Sequence, residues 1–123
     1  MQSMSFFGID ASGAELVVAA SDQRHAPLTI ANRAAAIGQW PDTLPAQAVV
    51  GIESTGSCHT VLVGAACARG LRVYLLNALD VRHYARSLGR RGKTDRVDAE
   101  VIARYVAQEH SQLHAYTPPA PDL

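Results

Sequence analysis

The stretch Ser5–Ser21, SFFGIDASGAELVVAAS, holds two apolar runs parted by a turn, and its reading decides the fold. SFFGID is a short apolar run that ends on a carboxylate, as a buried strand closing at Asp10 would. Ala11–Ala14 is small and turn-forming, and Glu15–Ser21 resumes as a second strand. After another turn, Pro27–Ala31 makes a third, shorter strand. Three strands joined this tightly form an antiparallel meander.

Beyond Ala31 the period changes. Asn32 is placed to cap a short helix, Arg33–Trp40, that Pro41 ends. Ala46–Glu53, AQAVVGIE, is continuously apolar, as expected of a central strand covered on both faces. Ser57–Arg69 is helical in period, with Gly70 as its C-terminal stop. Leu71–Leu76 reads as a strand and Leu79–Ser87 as a helix. A Gly- and Arg-rich loop follows, and then a last helix, Asp95–Glu109. A meander followed by alternating helix and strand predicts an α/β layered domain, a mixed sheet with helices on both faces. The RNase H arrangement has this order. The domain is expected over residues 1–115, and the proline-rich 116–123, YTPPAPDL, as a tail or linker.

With 123 residues, 48% hydrophobic and 18% charged, the chain is one globular domain and not a disordered one. Eleven basic residues balance eleven acidic ones, so net charge points to no partner, but the distribution does. From Arg82 to Arg96 there are six basic residues (Arg82, Arg86, Arg90, Arg91, Lys93 and Arg96) against the single acid Asp95. Such a stretch suits phosphate contacts, although a solvated face or loop is the commoner reading of a basic run taken alone. Cys58 and Cys67 form no Cys-x-x-Cys pair and, in an alanine-rich apolar segment, read as buried free thiols of a reducing cytoplasm. No signal peptide is evident, and the longest apolar run, Val61–Ala68, is too short for a bilayer. A soluble, cytoplasmic protein is expected.

Four carboxylates stand at strategic ends. Asp10 closes the first strand in GIDASG, Glu53 closes the middle strand in GIESTG, and Asp95 and Asp98 begin the last helix. Ligand sites of open sheets gather at strand ends where the topology reverses, so neighbouring first and fourth strands would present Asp10 and Glu53 together. At about 100° per residue, Val97, Val101, Tyr105, Asp98, Ile102, Asp95 and Val106 share one half of the last helix. Arg96, Glu100 and Arg104 occupy the other half. Clustered carboxylates repel unless a cation or a proton neutralises them, and hard oxygen donors suit Mg²⁺ or Mn²⁺. Each carboxylate also has a plain structural role open to it: a turn opener at Asp10, a loop acceptor at Glu53, a helix cap at Asp95 and Asp98.

FFGIDASGAELVVAASD, VVGIESTGS and NALDVRHYARSLGRRGKTDRVDAEVIARYV together resemble the N-terminal domain of insertion-sequence-110 family transposases, the group that includes Piv-type DNA invertases. The resemblance covers nearly the whole chain, and its most specific part is Lys93-Thr94-Asp95-Arg96-x-Asp98-Ala99. It implies a RuvC-like domain of the RNase H fold with an Asp-Glu-Asp-Asp tetrad, which falls here on Asp10, Glu53, Asp95 and Asp98. It further implies Mg²⁺ at that tetrad and DNA as substrate. A guide RNA encoded by the element, a homo-oligomer, and a second, serine-bearing domain beyond Leu123 belong to the same expectation. A domain of this kind alone would fold and bind metal without recombining DNA. Two positions depart from the family's pattern. Ser57-Cys58 follow the Glu-x-Thr-Gly motif, and the usual Asn-Pro after the next strand is Asn77-Ala78.

Two rivals stand beside this reading. An actin-like sugar or acetate kinase shares the strand and turn of GIDASG but needs a second nucleotide-binding lobe that 123 residues do not supply. A non-catalytic nucleic-acid-binding or dimerising module would use the same arginines with structural carboxylates. Among the histidines, His59 reads as a helix-surface residue, and His110 and His114 as a surface pair rather than a zinc site.

Overall fold

The structure, a computed structural model, describes residues 4–22, 26–54, 56–89 and 95–118, and for residues 95–98 the backbone alone. Its elements are β1 (Ser5–Ala11), β2 (Glu15–Ala20), β3 (Leu28–Ala31), α1 (Ala34–Gln39), β4 (Ala48–Glu53), α2 (Thr60–Ala68), β5 (Arg72–Leu76), α3 (Ala78–Ser87) and α4 (Asp95–Glu109). The strands make one sheet in the order β3-β2-β1-β4-β5. β1, β2 and β3 pair antiparallel, while β4 lies parallel to both β1 and β5. This is the expected meander joined to crossover units. No helix among the described residues is long and apolar enough to cross a membrane.

Period-two alternation sorts the strands' side chains into two cores, which is why their sequences are apolar throughout. Phe7, Ile9, Val50, Ile52 and Val73 face α1 and α2, packing with Ile37, Trp40, Leu62 and Ala66. Val49, Tyr74 and Leu76 face the other way, against Val81 of α3 and Val101, Ile102 and Val106 of α4. Val17 and Ala19 extend that second layer onto Ala99. Ile9 and Ile52 are both fully buried and paired in register. Each such side chain contributes about 1.5–3 kcal/mol of burial. A slip of one residue would drive Asp10 and Glu53 into that core instead.

The second layer is unusually close. A Cβ built on Gly8 would lie 2.2 Å from both the Ala103 nitrogen and the Ala99 carbonyl oxygen, so α4 rests its backbone directly on β1. On the neighbouring strand, a Cβ at Gly51 would lie 2.2 Å from Val106 Cγ2. The two glycines are register partners. The helix face is accordingly centred on Ala99, Ile102, Ala103 and Val106, all fully buried. That corrects the half-wheel read from the sequence, which ran through Tyr105 and left the two alanines out. Alanine is the side chain small enough to let the helix axis sit over a glycine, so the smallest residues mark the contact. Tyr105 turns aside to meet the Tyr84 ring of α3 edge-on at 5.2 Å.

Other departures are local. α1 starts at Ala34 with Arg33 at its N-cap, and no side chain caps it. Pro41 opens a 3₁₀ turn, Trp40–Thr43, because its missing N–H costs nothing at a first turn. α2 begins at Thr60 and not at Ser57; residues 56–59 form a turn entered by Gly56 at φ +53°. Tyr116 donates its backbone N–H to the Val73 carbonyl at 2.7 Å and packs on the α1/α2 core. The first residue of the proline-rich segment is therefore tied to β5.

Gly8→Ala tests the close seat of α4. Its new methyl meets helix backbone, and overpacking of this kind costs about 1–3 kcal/mol or more. Gly13→Ala, with no atom within 4 Å of its Cβ, should stay within about 0.5 kcal/mol of the parent. Urea denaturation of the two variants reads the difference.

Candidate active site at the C-terminal edge of the sheet

The tripeptide Gly-Ile-acid occurs twice, at Gly8-Ile9-Asp10 and Gly51-Ile52-Glu53, on adjacent parallel strands. The ladder between them runs from Ser5–Ala48 to Ile9–Ile52. Asp10 and Glu53 are the next residue on each strand. Both are half-buried. By alternation they share the face of Gly8 and Gly51, which is the face α4 covers. Asp10 is also held opposite Val17 of β2, and Glu53 opposite Leu76 of β5.

α4 runs antiparallel to β1. Its far end brings the His110 ring against Phe6, with centroids 4.9 Å apart, while Ala99 and Ala103 cross Gly8. Asp10 lies about 7 Å further along β1 than Gly8, and Asp95 about 6 Å further back along α4 than Ala99. The first turn of α4 therefore arrives at the edge where the two strand carboxylates emerge. Asp95 and Asp98 stand four residues before Ala99 and Ile102, within the helix. Their side chains lie outside the described residues, as do that of Arg96 and the whole of Arg90, Arg91, Lys93 and Thr94. Among the described residues no cluster of three or more His, Cys, Asp or Glu could hold a metal ion. The strand pair alone supplies two oxygen donors, a chemistry that fits a hard divalent cation.

The strand ends are shaped by turns. Ser12 N–H donates to the Glu15 carbonyl at 2.9 Å, closing the β1–β2 turn. Ser54 N–H donates to the Leu76 carbonyl at 3.0 Å, holding the chain after Glu53 against β5. Asn77 caps α3, its Oδ1 accepting from the N–H of Leu79 at 2.8 Å and of Asp80 at 3.3 Å. Ala78, where the family usually has proline, is the first residue of that helix, a place where proline is favoured but not required.

Arg82 and Arg86 are exposed on α3, one turn apart. They point away from the side on which Val81 is buried and Tyr84 donates its hydroxyl to Gln108 Oε1 of α4. Burial, reinforced by the charges of Asp80 and Glu109, holds the Tyr105 hydroxyl above its usual range. Burial likewise raises the Cys67 thiol, so neither group is an ionised nucleophile at neutral pH.

His59 corrects its sequence reading. It is 9% exposed, precedes α2 on the opposite side of the sheet from α4, and keeps its Nδ1 buried with no hydrogen-bond partner. It borders a cavity of about 520 Å³ lined by Val63, Cys67 and Tyr116 and stands apart from the carboxylates. His110 falls in a 3₁₀ turn beyond α4 and His114 is exposed beyond that, so no helical pair of histidines forms.

The fold is that of RuvC. The T. thermophilus RuvC in complex with Holliday junction substrate superposes with a TM-score of 0.70 over 93% of this chain and 100% of that one, at 13% identity. A second Thermus thermophilus RuvC structure gives 0.64 over 91% and 98%, at 15% identity. A family model described as transposase, that of insertion sequence 110, matches residues 7–123. The chain belongs to that family. The pilin gene-inverting proteins of Moraxella lacunata and Moraxella bovis are each 42% identical over 62 residues, half of this chain. The matched region spans 19% of each relative's length.

Replacing His59 with phenylalanine checks the orphaned nitrogen. A buried unsatisfied polar atom costs roughly 1–3 kcal/mol. His59→Phe should therefore leave thermal stability unchanged or raise it, and a clear drop would reveal a partner for Nδ1.

Proposed function

We propose that this chain is the catalytic domain of a DNA transposase or recombinase, acting on phosphodiesters through Asp10, Glu53, Asp95 and Asp98. The observation that carries the reading is the emergence of Asp10 and Glu53 side by side, on one face, at the edge where α4 begins. Two half-buried carboxylates so placed repel each other unless a cation or proton intervenes. Asp10 and Glu53 hold Mg²⁺ or Mn²⁺ from the strand ends, and the helical period carries the face of Ala99 and Ile102 back to Asp95 and Asp98, which complete the donor set. A divalent ion held there supplies Lewis-acid stabilisation of the phosphoryl oxygens during displacement. Arg82 and Arg86, with Arg90, Arg91, Lys93 and Arg96, bind the nucleic-acid backbone and set its register over the carboxylates. Thr94 caps α4.

The comparisons support DNA as the substrate: one structural neighbour was solved with a Holliday junction, and the matched relatives are named for gene inversion. In the full-length protein this domain works in the cytoplasm beside a C-terminal serine-bearing domain, within a homo-oligomer. There a structured RNA encoded by the element selects the DNA. These last features rest on family resemblance. The domain takes in residues 1–115 together with Tyr116, which is tied to β5.

Calorimetric titration with Mn²⁺ is the primary test. The parent should bind saturably and Asp95→Asn should weaken binding at least tenfold. Equal binding by both, or none by either, would favour the non-catalytic nucleic-acid-binding or dimerising module. In the full-length recombinase, Asp10→Ala should abolish recombination of its DNA; undiminished recombination would end the proposal.

The basic residues are tested by salt dependence. Each phosphate contact contributes about 0.9 to the slope of log affinity against log salt. Arg82→Ala and Arg86→Ala should each flatten that slope by nearly one on any DNA sequence, as read by fluorescence anisotropy between low and moderate salt.

A further inference from the structure

Strand pairing does not by itself fix the spacing of the two strand carboxylates. The β1–β4 ladder stops at Ile9–Ile52, one residue short of both acids. Past that point Asp10 is paired outward to β2 and Glu53 outward to β5. Strands released from each other can splay, and each is then followed by a turn that departs in its own direction. Something must span the gap beyond the acids if their oxygens are to keep a fixed separation.

Asn32 does so. It stands directly after β3, with its backbone N–H donated to the Ala14 carbonyl at 3.0 Å in the β1–β2 turn. Its Nδ2 donates to the Ser12 carbonyl at 2.6 Å and to the Cys58 carbonyl at 2.9 Å. Ser12 lies two residues beyond Asp10, and Cys58 five beyond Glu53. One amide group thus uses both of its hydrogens to join the turn after the first acid to the turn after the second. Its orientation is not arbitrary: both partners are backbone carbonyls, pure acceptors, so the NH₂ and not the oxygen must face them. This role also explains why Asn32 does not cap α1, for which its position in the sequence suits it.

We propose that Asn32 is a positioning residue for the metal site, holding the Asp10 and Glu53 strand ends at the separation a divalent ion requires. The proposal rests on the metal-dependent reading of those carboxylates. Asn32 acts on the acids through the two turns that its amide joins. Aspartate at this position is nearly isosteric but sets a charged acceptor against two carbonyl oxygens. It therefore breaks both bonds and adds repulsion. Alanine merely removes the tie and lets water reach the carbonyls, a milder loss.

The test uses two independent readouts on the 123-residue chain, in a Cys67→Ala background so that Cys58 is the one thiol. Asn32→Asp should raise the Mn²⁺ dissociation constant about tenfold in calorimetry, at a temperature well below its unfolding midpoint. Without metal, it should also speed modification of the half-buried Cys58 by an aromatic disulfide several-fold. Asn32→Ala should fall between parent and Asn32→Asp in both. Should Asn32→Asp fail to fold, Asn32→Ala and Asn32→Ser carry the comparison, with serine restoring part of the affinity through its single donor.

A variant that loses thermal stability yet binds Mn²⁺ like the parent would show Asn32 to be structural only, and overturn the proposal while sparing the carboxylate reading. A parent that binds no Mn²⁺ would sink that reading and the positioning role with it. Unchanged Cys58 reactivity in every variant would mean that the amide does not restrain the turn, whatever the metal does.

Discussion

A helix backbone rests directly on a strand backbone where α4 crosses Gly8, and the rest of the structure depends on that contact. Any side chain at residue 8 would drive into the Ala99 carbonyl oxygen and the Ala103 nitrogen. Protein interiors do not absorb such intrusions by compression, since they are packed as densely as organic crystals. The position of α4 over β1 is therefore specified by the absence of one Cβ, and Gly51 extends the seat onto β4. Because the helix cannot ride higher, its first turn comes down at the sheet's edge. The same glycines that admit the helix are placed two residues before the acids. Alternation then gives each acid the face that α4 covers.

That arrangement puts local chemistry and global stability at odds. Ile9 and Ile52 are fully buried and set the register, whereas the residues immediately after them are carboxylates half removed from water. Partial burial of a carboxylate costs free energy unless hydrogen bonds or an opposite charge offset it. The opposite layer is apolar from Phe7 to Val73, and His59 is the one buried polar residue among those described. One side of the sheet serves as foundation, and the other carries α3 and α4, whose first turn reaches the sheet's edge.

Much of this was legible in the sequence because period and punctuation were strong. The apolar runs ending at Asp10 and Glu53, the Gly70 stop and the bounds of α4 needed no tertiary information. What the sequence concealed was set by contact. The hydrophobic period placed the sheet-facing side of α4 through Tyr105, because hydrophobicity weights large residues, whereas the seat belongs to two alanines over a glycine. The repeated Gly-Ile-acid tripeptide was the available signal for that seat, visible once the two strands are known to be neighbours. Asn32 was read as a helix cap by the ordinary rule for its type, but two carbonyls brought near by folding compete for its amide and win. His59 reads as a surface residue because helical period runs from Ser57, whereas the chain turns until Thr60 and buries the ring just before α2.

The two strands that carry the acids are parallel neighbours, yet the chain reaches the second only after passing through β2, β3 and α1. Such nonlocal pairing is costly to close and cannot be held by local turns. It is held here at three levels along one line: the isoleucine pair below the acids, the glycine seat of α4 beside them, and a side-chain amide beyond them. The first two are matters of volume and tolerate little displacement. The third is a pair of hydrogen bonds at the partly exposed edge, each worth only about 1 kcal/mol net. The most easily loosened restraint is therefore the one nearest the open end of the carboxylate pair.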